Sequence, residues 1–139
     1  MKKILTKKNV LILDTTDTSH SVIAQAVLNK YLRGVNAYSA GINAAKNIDE
    51  NTQRVLKENG LYSTERAPKA LSDLGEVAFD LVIALSEKAM KKSSDFSDTA
   101  DIIAIEYDEV NPKSYASYKE ALKLIQMEIT PIVRMHFEL

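Results

Sequence analysis

Residues 10–21 read Val10-Leu-Ile-Leu-Asp14-Thr-Thr-Asp17-Thr-Ser-His20-Ser21, and Val22-Ile-Ala-Gln-Ala-Val-Leu-Asn-Lys-Tyr31 follows directly. The apolar run Asn9–Leu13 is too short for a helix and suits a central parallel strand, where both faces are covered. It stops at Leu13, and eight polar residues, Asp14 to Ser21, follow. Ile23, Ala24, Val27, Leu28 and Leu32 then recur at helical spacing, which predicts a helix from about Ser21 to Leu32. Ser19 or Ser21 can cap its start, and Gly34 ends it. A strand-loop-helix join of this kind is where α/β proteins hold anions, because loop amides and the positive helix end face the ligand. The candidate ligand loop is therefore Asp14, Thr15, Thr16, Asp17, Thr18, Ser19, His20 and Ser21. It carries two carboxylates and one imidazole, and no Cys, Arg, Lys or Gly.

The pattern continues outward from this loop. Val35–Ser39 reads as a second strand closed by a tight turn at Ala40-Gly41, and Asp49–Asn59 as a helix stopped by Gly60. After a turn-rich stretch with Pro68, Ala78–Leu85 reads as a third strand, and Ser86 caps a short helix to about Lys92. Asp101–Ile105 is the fourth strand, Asn111-Pro112 breaks the chain, and a helix runs from about Tyr115 to Met135 with an interruption or kink expected at Pro131. Alternating strands and helices predict a parallel four-stranded sheet covered on both faces, a three-layer α/β sandwich forming one domain over residues 1–139. Its strand ends would gather the Asp14–Ser21 loop, Ser39–Gly41 and the Asn111-Pro112 loop.

Composition narrows the function classes. The 139 residues carry 18 Lys and Arg against 19 Asp and Glu, a formal net charge of -1, so neither nucleic acid nor an anionic membrane is the expected partner. Lys2, Lys3, Lys7 and Lys8 read as a solvated leader, with no signal peptide or membrane span, which predicts a cytoplasmic protein. There is no cysteine. Disulfides, thiolate metal sites and a cysteine nucleophile are excluded. No cofactor is implied.

The order of features resembles the low-molecular-weight protein tyrosine phosphatases, a family that includes the thioredoxin-coupled arsenate reductases. The resemblance runs from about Asn9 to Met135. It rests on the opening loop, Ser39-Ala40-Gly41, Val55-Leu-Lys-Glu-Asn-Gly60, Ala67-Pro-Lys-Ala-Leu71, Phe79-Asp-Leu-Val-Ile83 and Asn111-Pro112. It implies strand order 2-1-3-4. It also implies that Asp14 stands where the family has its nucleophilic Cys, His20 where it has its phosphate-clamping Arg, and Asn111 where it has its general-acid Asp. Ser21 alone keeps the family's residue type. Aspartate is a poor nucleophile toward a dianionic ester, neutral imidazole lacks the bidentate cationic fork, and Asn has no proton to give a leaving group. Arsenate reduction is excluded with the cysteines.

These substitutions predict a pseudoenzyme that binds a protein partner or small ligand without turnover; were turnover retained, phosphoric monoester hydrolysis would be the reaction. One alternative is a Mg²⁺-dependent phosphatase with Asp14 as nucleophile, since Asp14-Thr-Thr-Asp17 resembles the haloacid dehalogenase signature with one residue too many between the aspartates. Another is a metal site made by Asp14, Asp17 and His20. Plainer roles compete with both. Asp14 could accept the loop's own amides in place of phosphate, Asp17 could cap a backbone N–H, and His20 could pack over the helix start. Tyr107, Tyr115 and Tyr118 cluster near Asn111-Pro112 as a partner surface or as ordinary amphipathic residues. His136 reads as exposed, and Lys119, Glu120, Lys123 and Glu128 as the solvated face of the last helix.

Overall fold

The computed structural model describes residues 6–62 and 66–139. Lys2 and Lys3 of the basic leader, and residues 63–65 of the turn-rich stretch, lie outside the described residues. Four strands, β1 (Lys8–Asp14), β2 (Val35–Gly41), β3 (Leu81–Ala84) and β4 (Asp101–Ala104), form one sheet in the order β2-β1-β3-β4. All neighbouring pairs are parallel. Parallel neighbours need crossovers, which are supplied by α1 (His20–Tyr31), α2 (Glu50–Glu58) and α3 (Glu87–Ser93); α4 (Tyr115–His136) follows β4.

Strand alternation divides the core in two. Val10 and Ile12 of β1, with Leu81 and Ile83 of β3, pack under α1, α2 and α4. Leu11 and Leu13, with Val82 and Ala84, face Phe79, Ala89 and the short 3₁₀ turns on the other side. This gives the expected three layers. Ile23, Leu28, Ile125 and Ile129 are fully buried between α1 and α4. Each such side chain contributes about 1.5–3 kcal/mol by leaving water.

Three expectations need revision. Ser39-Ala40-Gly41 is not a turn but the end of β2, where Ser39, Ala40 and Gly41 pair with Ile12, Leu13 and Asp14. The third strand is shorter than Ala78–Leu85. Asp80 instead ties the start of β1, accepting the Asn9 N–H at 2.8 Å with its side chain, while Asn9 Nδ2 donates to the Ala78 carbonyl. Pro131 does not interrupt α4. The carbonyl it leaves unbonded belongs to Met127, one turn earlier on the outer face and 63% exposed, so water can satisfy it. Gly60 does terminate α2, at φ +69, with the Leu61 N–H returning to the Leu56 carbonyl.

Candidate functional site

The candidate site follows from how the 14–21 loop is held. Its carbonyls are drawn to the segment after β2. Ile42 N–H donates to the Asp14 carbonyl at 3.0 Å, Asn43 N–H to Thr15 at 2.8 Å, and Ala45 N–H to Thr16 at 3.1 Å. Thr18 O accepts the Thr52 hydroxyl at 2.8 Å. The loop's carbonyls are thus taken up, while the amides of Thr16 to Ser19 donate to no described residue. Gly41 makes this approach possible. A Cβ there would lie 2.8 Å from the Thr16 carbonyl carbon and 3.0 Å from Asp17 N.

Asp17 is the loop's internal strut. It has φ 56, a left-handed conformation that Asp tolerates better than most residues, and is 1% exposed. Its Oδ1 accepts the Ser21 hydroxyl at 2.8 Å and its Oδ2 accepts the Lys69 N–H at 2.9 Å. It caps no helix amide. Behind it, Arg66 Nη1 donates to the Val22 carbonyl and to Gln25 Oε1. Burial pulls the Arg66 guanidinium down from its ordinary range, and the Asp17 charge opposes that shift. Gln25 Oε1 also accepts the buried Ser39 hydroxyl. The one hydroxyl residue retained by resemblance, Ser21, therefore serves Asp17 in this loop.

On the open side lies a cleft of about 560 Å³ lined by Asp14, Thr15, Thr16, Thr18, Ser19 and His20. Ser86, Tyr107 and Pro112 close its far wall. Asp14 Oδ1 accepts the Thr15 N–H at 2.8 Å, so it takes one of the loop amides. Burial raises the Asp14 pKa above the usual carboxylate value; the Thr15 bond opposes this, and the negative charges of Asp17 and Glu109 add to it. Burial likewise lowers the His20 pKa. The His20 ring stacks on Tyr107 at 5.2 Å between centroids, with 9° between planes.

The sequence candidates thus separate. Asp14 and His20 share the cleft, whereas Asp17 and Ser21 are buried beneath it. An Asp14–Asp17–His20 metal site is corrected by this geometry: both Asp17 oxygens are engaged away from the cleft, and no three His, Asp or Glu among the described residues gather to hold a metal. Asn111 does not line the cleft. Its Oδ1 accepts the Lys113 N–H at 3.0 Å and closes a local turn, which leaves Pro112 as the cleft residue of the pair. The tyrosines also part company. Tyr118 is fully buried and donates to Asp49 Oδ2 at 2.7 Å, while Tyr115 donates to Glu58 and lies under the Arg54 guanidinium at 3.7 Å. His136 joins α4 to β4 through Asp101 at 2.9 Å. Glu128 is not merely solvated, since it accepts the Tyr107 hydroxyl at 3.2 Å.

Sequence reasoning missed the cleft's charge. Asp49, Glu87, Glu106 and Glu109 join Asp14 on its walls, against a single cation, Lys88. The run Glu106-Tyr-Asp-Glu109, three acids in four residues just before Asn111-Pro112, was the available signal. Arg66 carried none, because its partners are distant in sequence.

The fold and loop define an α/β domain with a strand-loop-helix site at the carboxyl end of a parallel sheet. A family model described as low molecular weight phosphotyrosine protein phosphatase matches residues 9–122, and the chain belongs to that family. No curated protein matches it by sequence. Among solved structures it is similar to an arsenate reductase from Archaeoglobus fulgidus, with 24% identity, TM-score 0.66, and 89% of this chain and 98% of that one covered. A low molecular weight protein tyrosine phosphatase from T. tengcongensis aligns at 19% identity and TM-score 0.74, covering 93% and 99%. A low molecular weight phosphotyrosine phosphatase from Vibrio cholerae O395 aligns at 15% identity and TM-score 0.76, covering 94% and 97%. At these identities the structural likeness speaks for the fold. Among the described residues, no helix is long and apolar enough to cross a membrane.

Proposed function

We propose that this protein is a catalytically degenerate member of its family, which uses the cleft over the 14–21 loop to bind a partner or ligand without turnover. The observation that carries this reading is Asp14. It occupies the base of the cleft at the end of β1, in a chain with no cysteine, with its carboxyl pKa raised by burial and neighbouring acids. A half-buried carboxylate among other carboxylates repels a phosphate ester and is a weak nucleophile toward it. The clamp is missing too. His20 is held against Tyr107, and the nearby guanidinium, Arg66, is committed to Val22 and Gln25 behind the loop.

The test is hydrolysis of an aryl phosphate by wild type and Asp14→Ala, with and without Mg²⁺, Mn²⁺ and Zn²⁺. The expected result is no turnover by either protein under any metal condition. Hydrolysis that disappears in Asp14→Ala would overturn the proposal and make Asp14 a nucleophile.

A further inference from the structure

The chain closes one edge of its sheet and leaves the other open. On β2 the side chain of Asn29 takes the place of a further strand: its Oδ1 accepts the Ala37 N–H at 2.8 Å and its Nδ2 donates to the Ala37 carbonyl at 3.0 Å. The Gly41 N–H donates to the Lys69 carbonyl at 2.8 Å, so the segment at Lys69 and Ala70 covers the end of that strand. On β4 the Asp101 N–H bonds the Asp80 carbonyl and the Ile105 N–H bonds the Ala84 carbonyl. By strand alternation the backbone groups of Asp101, Ile103 and Ile105 face β3, and those of Ile102 and Ala104 face outward. Neither Ile102 nor Ala104 bonds any described residue on that outer side. Ala104 is exposed, and the run Asp101-Ile-Ile-Ala-Ile105 favours strand pairing and holds no Lys or Pro to blunt its edge.

The last helix lies along this edge. Glu128 accepts the Tyr107 hydroxyl just beyond the end of β4, and His136 bonds Asp101 at its start, so α4 runs antiparallel to β4. Ile132 lies midway between the two contacts. Ile132 and Met135 fall one and two turns after Glu128, on the same flank of α4. Ile132 is half-buried and Met135 is 79% exposed. An open strand edge and an apolar helix flank thus border the same side of the molecule.

We propose that a second copy of this chain docks here, pairing β4 with β4 in antiparallel fashion about a two-fold axis through Ile103. The backbone itself selects this occupant. The outward residues Ile102 and Ala104 lie symmetrically about Ile103, so one two-fold pairs Ile102 with the partner's Ala104 and Ala104 with the partner's Ile102. Each pair exchanges two hydrogen bonds, and no outward group of β4 is left over. Charge agrees with it. In this register Asp101 lies opposite the partner's Ile105 and Glu106 opposite the partner's Ala100, so no like charges meet directly, and each copy carries a net charge of only -1. The two α4 helices then run antiparallel across the junction, Ile132 meets the partner's Ile132 near the axis, and Met135 meets the flank holding the partner's Glu128. One sheet continues through both copies.

The experiment is sedimentation velocity of the full chain over a concentration series. The expected result is a reversible dimer of two 15.5 kDa chains, with a dissociation constant on the order of 10 μM for so small an interface. Ala104→Pro deletes an outward N–H and keeps the bonds of Ile103 and Ile105 to β3, so it should leave a folded monomer. Met135→Glu sets a second carboxylate beside the partner's Glu128 and should weaken the dimer about tenfold. Tyr31→Glu, which changes an exposed aromatic at the end of α1, should not weaken it. Thermal unfolding of each variant separates loss of the dimer from loss of fold. Should Ala104→Pro fail to fold, single cysteines decide the register, because the chain has none of its own. Ile103→Cys should form an intermolecular disulfide on mild oxidation, since a non-hydrogen-bonded antiparallel pair places its Cα atoms about 4.5 Å apart. Ile105→Cys, four positions from its copy in this register, should not. A monomer at every concentration, a dimer that survives in folded Ala104→Pro, or cross-linking of Ile105→Cys in preference to Ile103→Cys overturns the inference. An extended segment of another protein seated on β4 would give the first of these results.

Discussion

Asp17→Ala tests the account of the loop most directly. Asp17 has no contact with the cleft, and its whole role is to join Ser21 and Lys69 beneath the loop. The Ala variant leaves the fully buried Ser21 hydroxyl without a partner, at about 1–3 kcal/mol. It loses the Lys69 bond to a charged acceptor, about 1 kcal/mol because Lys69 is exposed enough for water to replace it. It also places Ala at φ 56, at a further cost of about 1–2 kcal/mol. Removing a buried charge returns part of this sum, so the expected loss is about 3–4 kcal/mol, a large share of the stability of a domain this size. Asp17→Asn tolerates the left-handed conformation and keeps one carbonyl oxygen for Lys69, so it should cost no more than about 1 kcal/mol. Urea unfolding followed by circular dichroism, with m unchanged between variants, measures both values. An Ala variant within about 1 kcal/mol of wild type, or an Asn variant as damaged as Ala, refutes the strut.

Two further perturbations probe the same region. Gly41→Ala drives a Cβ into the Thr16 and Asp17 backbone, which cannot yield as a side chain would. Thermal unfolding should show a loss of about 1–3 kcal/mol, and an unchanged midpoint would mean the loop is not held against β2. Asp14 sets a pH dependence. Its native pKa is raised above the ordinary 3.8, so the native state binds the extra proton, and Asp14 lowers stability as pH rises through its native pKa. Asp14→Asn keeps an oxygen for the Thr15 N–H, so it should be more stable than wild type at pH 7. The difference should shrink as pH falls toward 3.8, and a gain independent of pH, or a loss at pH 7, counts against the assignment.

The fold was legible because its signals are local. The apolar run 10–13, the helical spacing from Ile23 to Leu32 and the Gly60 stop are each written within a dozen residues, and the structure places β1, α1 and the end of α2 there. The strand order came through resemblance rather than through any pattern in the chain. The site was only half legible. That Asp14 and His20 share a wall follows from one loop following one strand. That Asp17 turns inward does not follow, because its partner Lys69 is 52 positions away. Tyr118 looked like a surface aromatic until α4 was seen to bury it against Asp49. The acids of the cleft come from the loop itself, the segment before α2, the start of α3 and the segment after β4. No window of sequence contains them together.

That dispersal bears on whether the family's activity can be restored. Asp14→Cys with His20→Arg puts the family's two principal residue types back into the loop, yet the expected outcome is still no aryl phosphate hydrolysis. Asp49, Glu87, Glu106 and Glu109 remain on the cleft walls against Lys88, a net charge of about −3. At a separation on the order of 10 Å in water, a phosphate dianion loses about 0.8 kcal/mol to each uncompensated charge, so roughly 2.5 kcal/mol, or more than fiftyfold in binding. The same field opposes formation of the thiolate. An arginine at position 20 also meets the face of Tyr107 and two glutamates that compete with the phosphate for its guanidinium. Adding Glu106→Gln and Glu109→Gln to the double variant removes those competitors, and it is this quadruple variant in which phosphate binding should first be measurable by calorimetry. Turnover by Asp14→Cys/His20→Arg alone, lost on alkylating the new thiol, would show that the loop residues rather than the charge of the whole cleft decide the chemistry.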